Sequence, residues 1–167
     1  VMEIFFDGRP NKKVSEREMR YACDFFTSLI IPQAKLRNLM LHIEFRRLRA
    51  DDSFGYCVPL SDTEFPQEFE LAIDHSIGRL TQLGVLAHEI VHVKQFSLGE
   101  LFELEKSYHY RWKGEQMDVS GLHEFDFPWE IEANGMERGM VYRYQEHLTK
   151  EGIDFRKEQH NGSASSN

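Results

Sequence analysis

Residues 80–98, which read LTQLGVLAHEIVHVKQFSL, decide the fold of this chain. Apolar side chains recur here at helical spacing, and Gly99 follows as a natural left-handed cap, so the sequence predicts one long helix over Leu80–Leu98. Four of its residues form an apolar stripe that should face the core: Leu83, Leu86, Ile90 and Val93. Another face is then left for the polar residues of the segment.

That polar face carries the pattern His88-Glu89-Ile90-Val91-His92. Residues four apart on a helix share a face, so both imidazoles can reach one metal ion. Glu89 follows the first histidine and points toward the open side of that ion, where it can accept a proton from bound water. The pattern favours a catalytic zinc site, one Zn²⁺ per chain, over an ordinary helix with two half-exposed histidines.

Two histidines hold zinc poorly, so a third protein ligand is expected. The best source is the stretch Phe127-Pro128-Trp129-Glu130-Ile131-Glu132-Ala133-Asn134 in a later predicted helix. Glu130 and Glu132 lie roughly opposite each other on a helix, so only one can face the metal. Glu130 shares a face with Asn134 and is the favoured ligand, with Asn134 behind it as the hydrogen-bonding partner of a ligating imidazole. Glu132 stays open as the alternative third ligand.

HEIVH followed by Pro-Trp-Glu-Ile-Glu-Ala-Asn resembles the short gluzincin-type metallopeptidases, such as the minigluzincins, the ImmA/IrrE-type peptidases and phage SprT-like proteins. The resemblance implies zinc bound by His88, His92 and Glu130, with Glu89 as the general base. Asn134 stands where many such proteins have Asp. SprT-type proteins proper use a third histidine, which makes His109 or His123 a lesser candidate ligand.

Peptide-bond hydrolysis also needs a donor for the oxyanion of the tetrahedral intermediate. His109, Tyr110 and His123 lie between the two metal-binding segments and are the candidates, although each alone also fits a packed aromatic residue or a surface histidine. The strand predicted at 69–74 precedes the metal helix. It could pair with an extended substrate backbone or be a plain sheet strand.

The remaining patterns predict an α+β domain: a small zincin-like domain with a short, mostly antiparallel sheet, an HExxH helix and a later glutamate-bearing helix. Ser15-Glu16-Arg17-Glu18 fits a capping box at a helix start. Asp126 is predicted to cap the last helix, with Pro128 in its first turn. The other predicted segments are helices at 19–31 and 33–39, strands at 39–48, 56–60 and 69–77, an irregular strand or hairpin at 102–114, and a final helix to about Leu148.

Length and composition predict a single zincin-like domain over residues 1–157 and a flexible Gly/Ser/Asn-rich tail over 158–167. The net charge is −8 and the only basic runs are short, so nucleic acid is not an expected partner. No apolar stretch is long enough for a membrane span, and the first ten residues do not resemble a secretory signal. With two cysteines outside any metal-binding pattern, a cytoplasmic protein with reduced thiols is expected.

The favoured function is therefore zinc-dependent hydrolysis of protein or peptide substrates. One alternative is a non-catalytic, metal-stabilised interaction module, although an intact Glu89 beside the metal argues against it. Another is an SprT-like protease acting on DNA-associated proteins, which the acidic net charge of −8 weakens. Substrate preference and oligomeric state have no signature in the sequence.

Overall fold

A computed structural model describes residues 2–48 and 53–157. It confirms a mixed α+β architecture. The elements in chain order are β1 (Glu3–Gly8), α1 (Glu16–Ile30), α2 (Gln33–Leu36), β2 (Met40–Arg46), β3 (Gly55–Pro59), β4 (Glu68–Asp74), α3 (Arg79–Ser97), β5 (Leu101–Glu103), β6 (His109–Trp112), β7 (Glu115–Asp118), a short 3₁₀ turn (Glu124–Asp126) and α4 (Pro128–Glu151). The tail predicted over 158–167 lies outside the described residues.

The main sheet has four strands in the order β1-β2-β4-β3, and it corrects the prediction of a mostly antiparallel sheet. Strand β2 pairs in parallel with both β1 and β4, and only the edge strand β3 runs antiparallel to its neighbour. The prediction failed for two reasons: β1 was not recognised as a strand, and β3 lies outside β4 and not between β2 and β4, so that β2 and β4 pair in parallel. Once β1 is present, α1 and α2 form the crossover that parallel neighbours require.

Helix α1 begins where the capping pattern predicted. Ser15 is its N-cap, and the Ser15 hydroxyl accepts a hydrogen bond of 3.0 Å from the Glu18 backbone N–H. The Glu18 side chain does not complete the capping box; it is fully buried and pairs with Arg79 at the first turn of α3. This ion pair joins the starts of the two helices behind the sheet.

Helix α3 is the centre of the molecule. The four residues of its predicted apolar stripe are all fully buried, and strands β2 and β4 supply Leu41, Ile43, Leu71 and Ile73 to the same core. Burial extends well beyond the stripe, however, because α3 lies against β3 and β4 while α1 and α4 pack against α3. The motif residues Glu89 and His92 are consequently 4% and 8% exposed.

A second, three-stranded antiparallel sheet, β5-β6-β7, positions the start of α4. Trp129 is 5% exposed and lies against Tyr110, Trp112 and Phe127, with ring centroids 4.6, 6.1 and 5.1 Å away. The predicted Asp126 cap is wrong: the N-cap is Phe127, no side chain caps this end, and the first helical residue is Pro128. The helix start is instead held by the packing of Trp129.

Two further predictions can be compared with the structure. None of the helices in the described ranges, 2–48 and 53–157, is long and apolar enough to cross a membrane. The two cysteines, Cys23 and Cys57, are both free thiols, with Cys23 buried in the main core.

Candidate metal centre

The two motif histidines and one glutamate converge on a single point. Nε2 of His88 and Nε2 of His92 are 3.1 Å apart. The carboxylate of Glu130, on the first turn of α4, lies 3.3 Å from each of these nitrogens, one oxygen toward each histidine. Within the described residues, this is the group of His, Cys, Asp and Glu side chains that could hold a metal ion.

This geometry fits a tetrahedral metal ion. Zinc binds histidine nitrogen and carboxylate oxygen at about 2.0–2.2 Å, and tetrahedral angles then place the ligand atoms about 3.3–3.5 Å apart. The observed separations of 3.1–3.3 Å are close to that spacing. Two nitrogens and one oxygen are the donor set of a catalytic zinc site that keeps one position open. His88, His92 and Glu130 would therefore hold the ion.

A buried glutamine fixes the orientation of His92. Nδ1 of His92 lies 2.8 Å from Oε1 of Gln95, a residue on the next turn of α3 that is fully buried. A proton on Nδ1 donated to this oxygen leaves the Nε2 lone pair free to bind metal. The hydrogen bond that the sequence assigned to Asn134 is thus made by Gln95.

His88 has a different partner, Glu137. Nδ1 of His88 lies 3.6 Å from Oε2 of Glu137, two turns beyond Glu130 on the same face of α4. Gly84, one turn before His88, makes room for this carboxylate, because a Cβ at that position would lie 2.8 Å from the Glu137 Oε1 atom. The two helices can therefore approach closely beside the histidine.

Glu89 sits in the buried wall of the site. Burial raises the pKa of its carboxyl to about 7, because the nearby His92 and His88 only partly offset the loss of solvation. A carboxyl with this pKa can take up and release a proton near neutral pH, which is what a general base and acid requires.

The pKa of Glu130 shifts in the opposite direction from that of Glu89, although Glu130 is also partly buried. Burial by itself would raise its pKa, but hydrogen bonds from His88 and His92 outweigh that effect and lower the pKa to about 2. Glu130 is therefore ionised near neutral pH. Two carboxyls in one site thus have different protonation behaviour, as acid–base and ligand roles require.

The alternative ligand Glu132 points away from the histidines. Its carboxylate accepts hydrogen bonds from Gln95, at 2.9 Å, and from Lys113, at 2.8 Å. The structure thus separates the two glutamates as the helical spacing required, with Glu130 toward the metal ligands. Asn134 is exposed on α4.

The three candidate oxyanion donors have other partners. Nδ1 of His109 lies 3.0 Å from the Ser107 carbonyl oxygen, and its Nε2 lies 3.5 Å from Asp118. Tyr110 packs on Trp129. Nδ1 of His123 accepts a hydrogen bond from the Phe125 N–H at the 3₁₀ turn. Their catalytic role remains a prediction, as does a ligand role for either histidine.

The strand predicted at 69–74, either to pair with a substrate backbone or to be a plain sheet strand, is β4. The structure places it inside the sheet between β2 and β3. The edge strand next to α3 is β3 instead. Gly55 on β3 is so close to the helix that a Cβ there would lie 2.9 Å from Oε1 of Glu89. An extended chain could therefore pair with β3 and not with β4.

Sequence reasoning missed Gln95, Glu137 and Gly55. Gln95 follows His92 by three residues and so shares its helix face, and Glu137 follows Glu130 by seven; both spacings are visible in the sequence. Gly55 has no such signal, because its role comes from a contact between two distant segments.

Comparisons of the chain with protein-family models, with curated proteins and with solved structures gave no match.

Proposed function

We propose that this protein is a zinc-dependent peptidase that hydrolyses peptide bonds in protein or peptide substrates. One observation carries the proposal: the nitrogens of His88 and His92 and the carboxylate of Glu130 lie at tetrahedral spacing beside a buried Glu89. The resemblance of the two motifs to short gluzincin-type metallopeptidases agrees with this assignment and remains part of the proposal.

When bound, zinc would lower the pKa of a water molecule and polarise the substrate carbonyl. Glu89 accepts the proton of that water and later delivers it to the leaving amine. Glu130 stays ionised throughout and holds its side of the site.

The substrate would lie along β3. Among the described residues this strand is at the edge of the main sheet, and Gly55 on it lies beside Glu89. A polypeptide in extended form can add to such an edge by backbone hydrogen bonds. Unpaired cysteines are typical of reducing compartments, so the proposal places the activity in the cytoplasm.

The experiment combines metal analysis with one isosteric variant. Protein purified without chelators is analysed for metal, then wild type and Glu89→Gln are incubated with a peptide library whose products are identified by mass spectrometry. We expect one zinc per chain in both proteins and cleavage by wild type only. Zinc with no cleavage by either protein would support a non-catalytic metal-stabilised module, and full activity of the variant would remove Glu89 from the mechanism.

A further inference from the structure

Gln95 occupies an unusual position for a polar side chain. It is fully buried, and every hydrogen-bonding group of its amide has a partner. The amide nitrogen donates to the Trp129 carbonyl oxygen at 3.0 Å and to Glu132 Oε2 at 2.9 Å. Both of these partners are acceptors only, so the nitrogen must face them and the amide oxygen must face His92.

This arrangement decides which ring nitrogen of His92 carries the proton. The Gln95 oxygen can only accept, so the His92 Nδ1 atom 2.8 Å away must donate. When the ring is neutral, Nε2 then keeps its lone pair, which a metal ligand needs, on the side of His88 and Glu130. If the Gln95 amide were turned over, its nitrogen would face Nδ1 of His92 and favour the tautomer that carries the proton on Nε2.

Glu132 holds the amide in place, and two ammonium groups hold Glu132. Nζ of Lys113 lies 2.8 Å from one carboxylate oxygen, and Nζ of Lys94 lies 3.3 Å from the other. A carboxylate paired with two ammonium groups is a strong acceptor for the Gln95 amide, which donates to it at 2.9 Å.

Lys113 makes its contact from a strained position. It precedes Gly114 in the two-residue turn between β6 and β7, and both residues have positive φ, 47° and 87°. Such turns favour Asn, Asp or Gly, and any other residue in this conformation is strained. A lysine here is unfavourable for the turn itself, while its ammonium reaches Glu132. The strain and the ion pair are independent observations that point to the same side chain.

We propose that Lys113, Glu132 and Gln95 form a positioning relay that orients His92 for metal binding. The relay runs from the β6–β7 turn through α4 to α3, so it couples the second sheet to the metal centre. None of its three members touches substrate or the reacting atoms; each is a positioning residue. The inference rests on the proposed function in one respect: the metal ion that His92 binds is zinc.

If the relay exists, a substitution at Lys113 should lower the zinc affinity of the protein without lowering its thermal stability. Lys113→Gly relieves the strained turn but also removes the ammonium from Glu132 and from the Trp112 ring, whose centroid is 4.7 Å away, so the melting temperature of the zinc-free protein should change little. Zinc affinity, measured by competition with a chromogenic chelator, should fall about two- to fivefold, as expected for a half-exposed ion pair. Glu132→Gln should weaken zinc binding further, and Gln95→Leu by about 10- to 100-fold.

Two variants serve as controls. Tyr108 also has positive φ, 62°, in the preceding turn, and its side chain is 60% exposed. Tyr108→Gly relieves strain of the same kind and should leave zinc affinity unchanged. Lys113→Arg keeps the positive charge and should retain most of the wild-type affinity.

The outcomes distinguish the relay from the function on which it rests. If wild type binds no zinc, the proposed metal centre fails and the relay fails with it. If wild type binds zinc and Lys113→Gly, Glu132→Gln and Gln95→Leu all bind it equally well, the relay alone is overturned. A loss of affinity in Tyr108→Gly equal to that in Lys113→Gly would also overturn it, because the turn and not the ammonium would then control the site.

Discussion

Gly55 on β3 and Glu89 on α3 face each other so closely that a methyl group on Gly55 would lie 2.9 Å from Oε1 of Glu89. The same methyl group would also collide with Cγ1 of Val85, one turn earlier on the helix. The absence of a side chain at this position therefore lets the edge strand approach the proposed general base.

Gly55→Ala should disturb both the fold and the catalytic carboxylate. Val85 is stiff and Glu89 is buried, so neither can move away freely, and overpacking of this kind costs about 1–3 kcal/mol. We expect a lower denaturant midpoint and a loss of peptidase activity larger than the unfolded fraction explains. Gly135→Ala is the matched control: a Cβ there meets no atom within 4 Å, and alanine favours a helix, so stability should rise slightly. Equal stability of Gly55→Ala and wild type would contradict the close contact.

Glu130→Gln should release zinc while keeping the fold. The variant retains the shape of the side chain but lacks the negative charge of the carboxylate. In wild type the carboxylate oxygens lie 3.3 Å from Nε2 of His88 and of His92. Zinc affinity should fall by more than about 100-fold, well beyond the loss in Glu132→Gln, because Glu130 and not Glu132 faces the two histidines. Competition with a chromogenic chelator measures the zinc affinity of both variants. Asn134→Ala, on an exposed position of the same helix, should bind zinc as wild type does, and a large loss there would restore the role that the sequence suggested.

Asp74 should contribute stability that depends on pH. Its carboxylate is 2% exposed and accepts hydrogen bonds from the Leu48 N–H and from the N–H and hydroxyl of Ser76. Burial opposes ionisation, but the bonds from Ser76 and Leu48 outweigh it and lower the pKa of Asp74. Because the folded-state pKa lies below the unfolded value of about 3.9, the stabilisation is complete above that pH and is lost as the pH falls through the folded-state pKa.

Asp74→Asn should therefore lower the free energy of unfolding at pH 7 by about 2 kcal/mol. The difference from wild type should narrow as the pH falls below about 4. Urea unfolding at pH 7, 4 and 3 tests this. Asp62→Asn changes an exposed carboxylate and should show no such trend. A difference that is the same at all three pH values would show that the charge of Asp74 contributes nothing.

Tyr144→Phe should stabilise the protein. The ring of Tyr144 is fully buried between α1 and α4, and its hydroxyl has no hydrogen-bond partner among the described residues. Removing a buried, unsatisfied hydroxyl should raise the free energy of unfolding by about 1 kcal/mol. Tyr21 belongs to the same aromatic group, but its hydroxyl is 2.7 Å from Nε2 of His147, so Tyr21→Phe should destabilise by a similar amount. Changes of the same sign in thermal melts of both variants would contradict this difference.

Local patterns predicted the helix of the metal motif, the cap at Ser15 and the candidate ligands. In each case the deciding contacts lie within one turn of a helix, so the spacing of residues along the chain fixes their relation. The same spacing shows that Glu130 and Glu132 cannot both face the metal. It does not show which of them does, because that depends on how α4 lies against α3.

The sequence by itself thus determined the chemistry available to this protein: two imidazoles and an adjacent carboxylate on one helix face, and a second carboxylate to join them. Tertiary structure alone decided the parallel pairing of β1, β2 and β4, the contact of Gly55 with Glu89, and the contacts from Lys113 through Glu132 and Gln95 to His92. The physical reason is that these relations join segments far apart in the chain. They exist only after burial of the core has fixed the positions of the helices and both sheets.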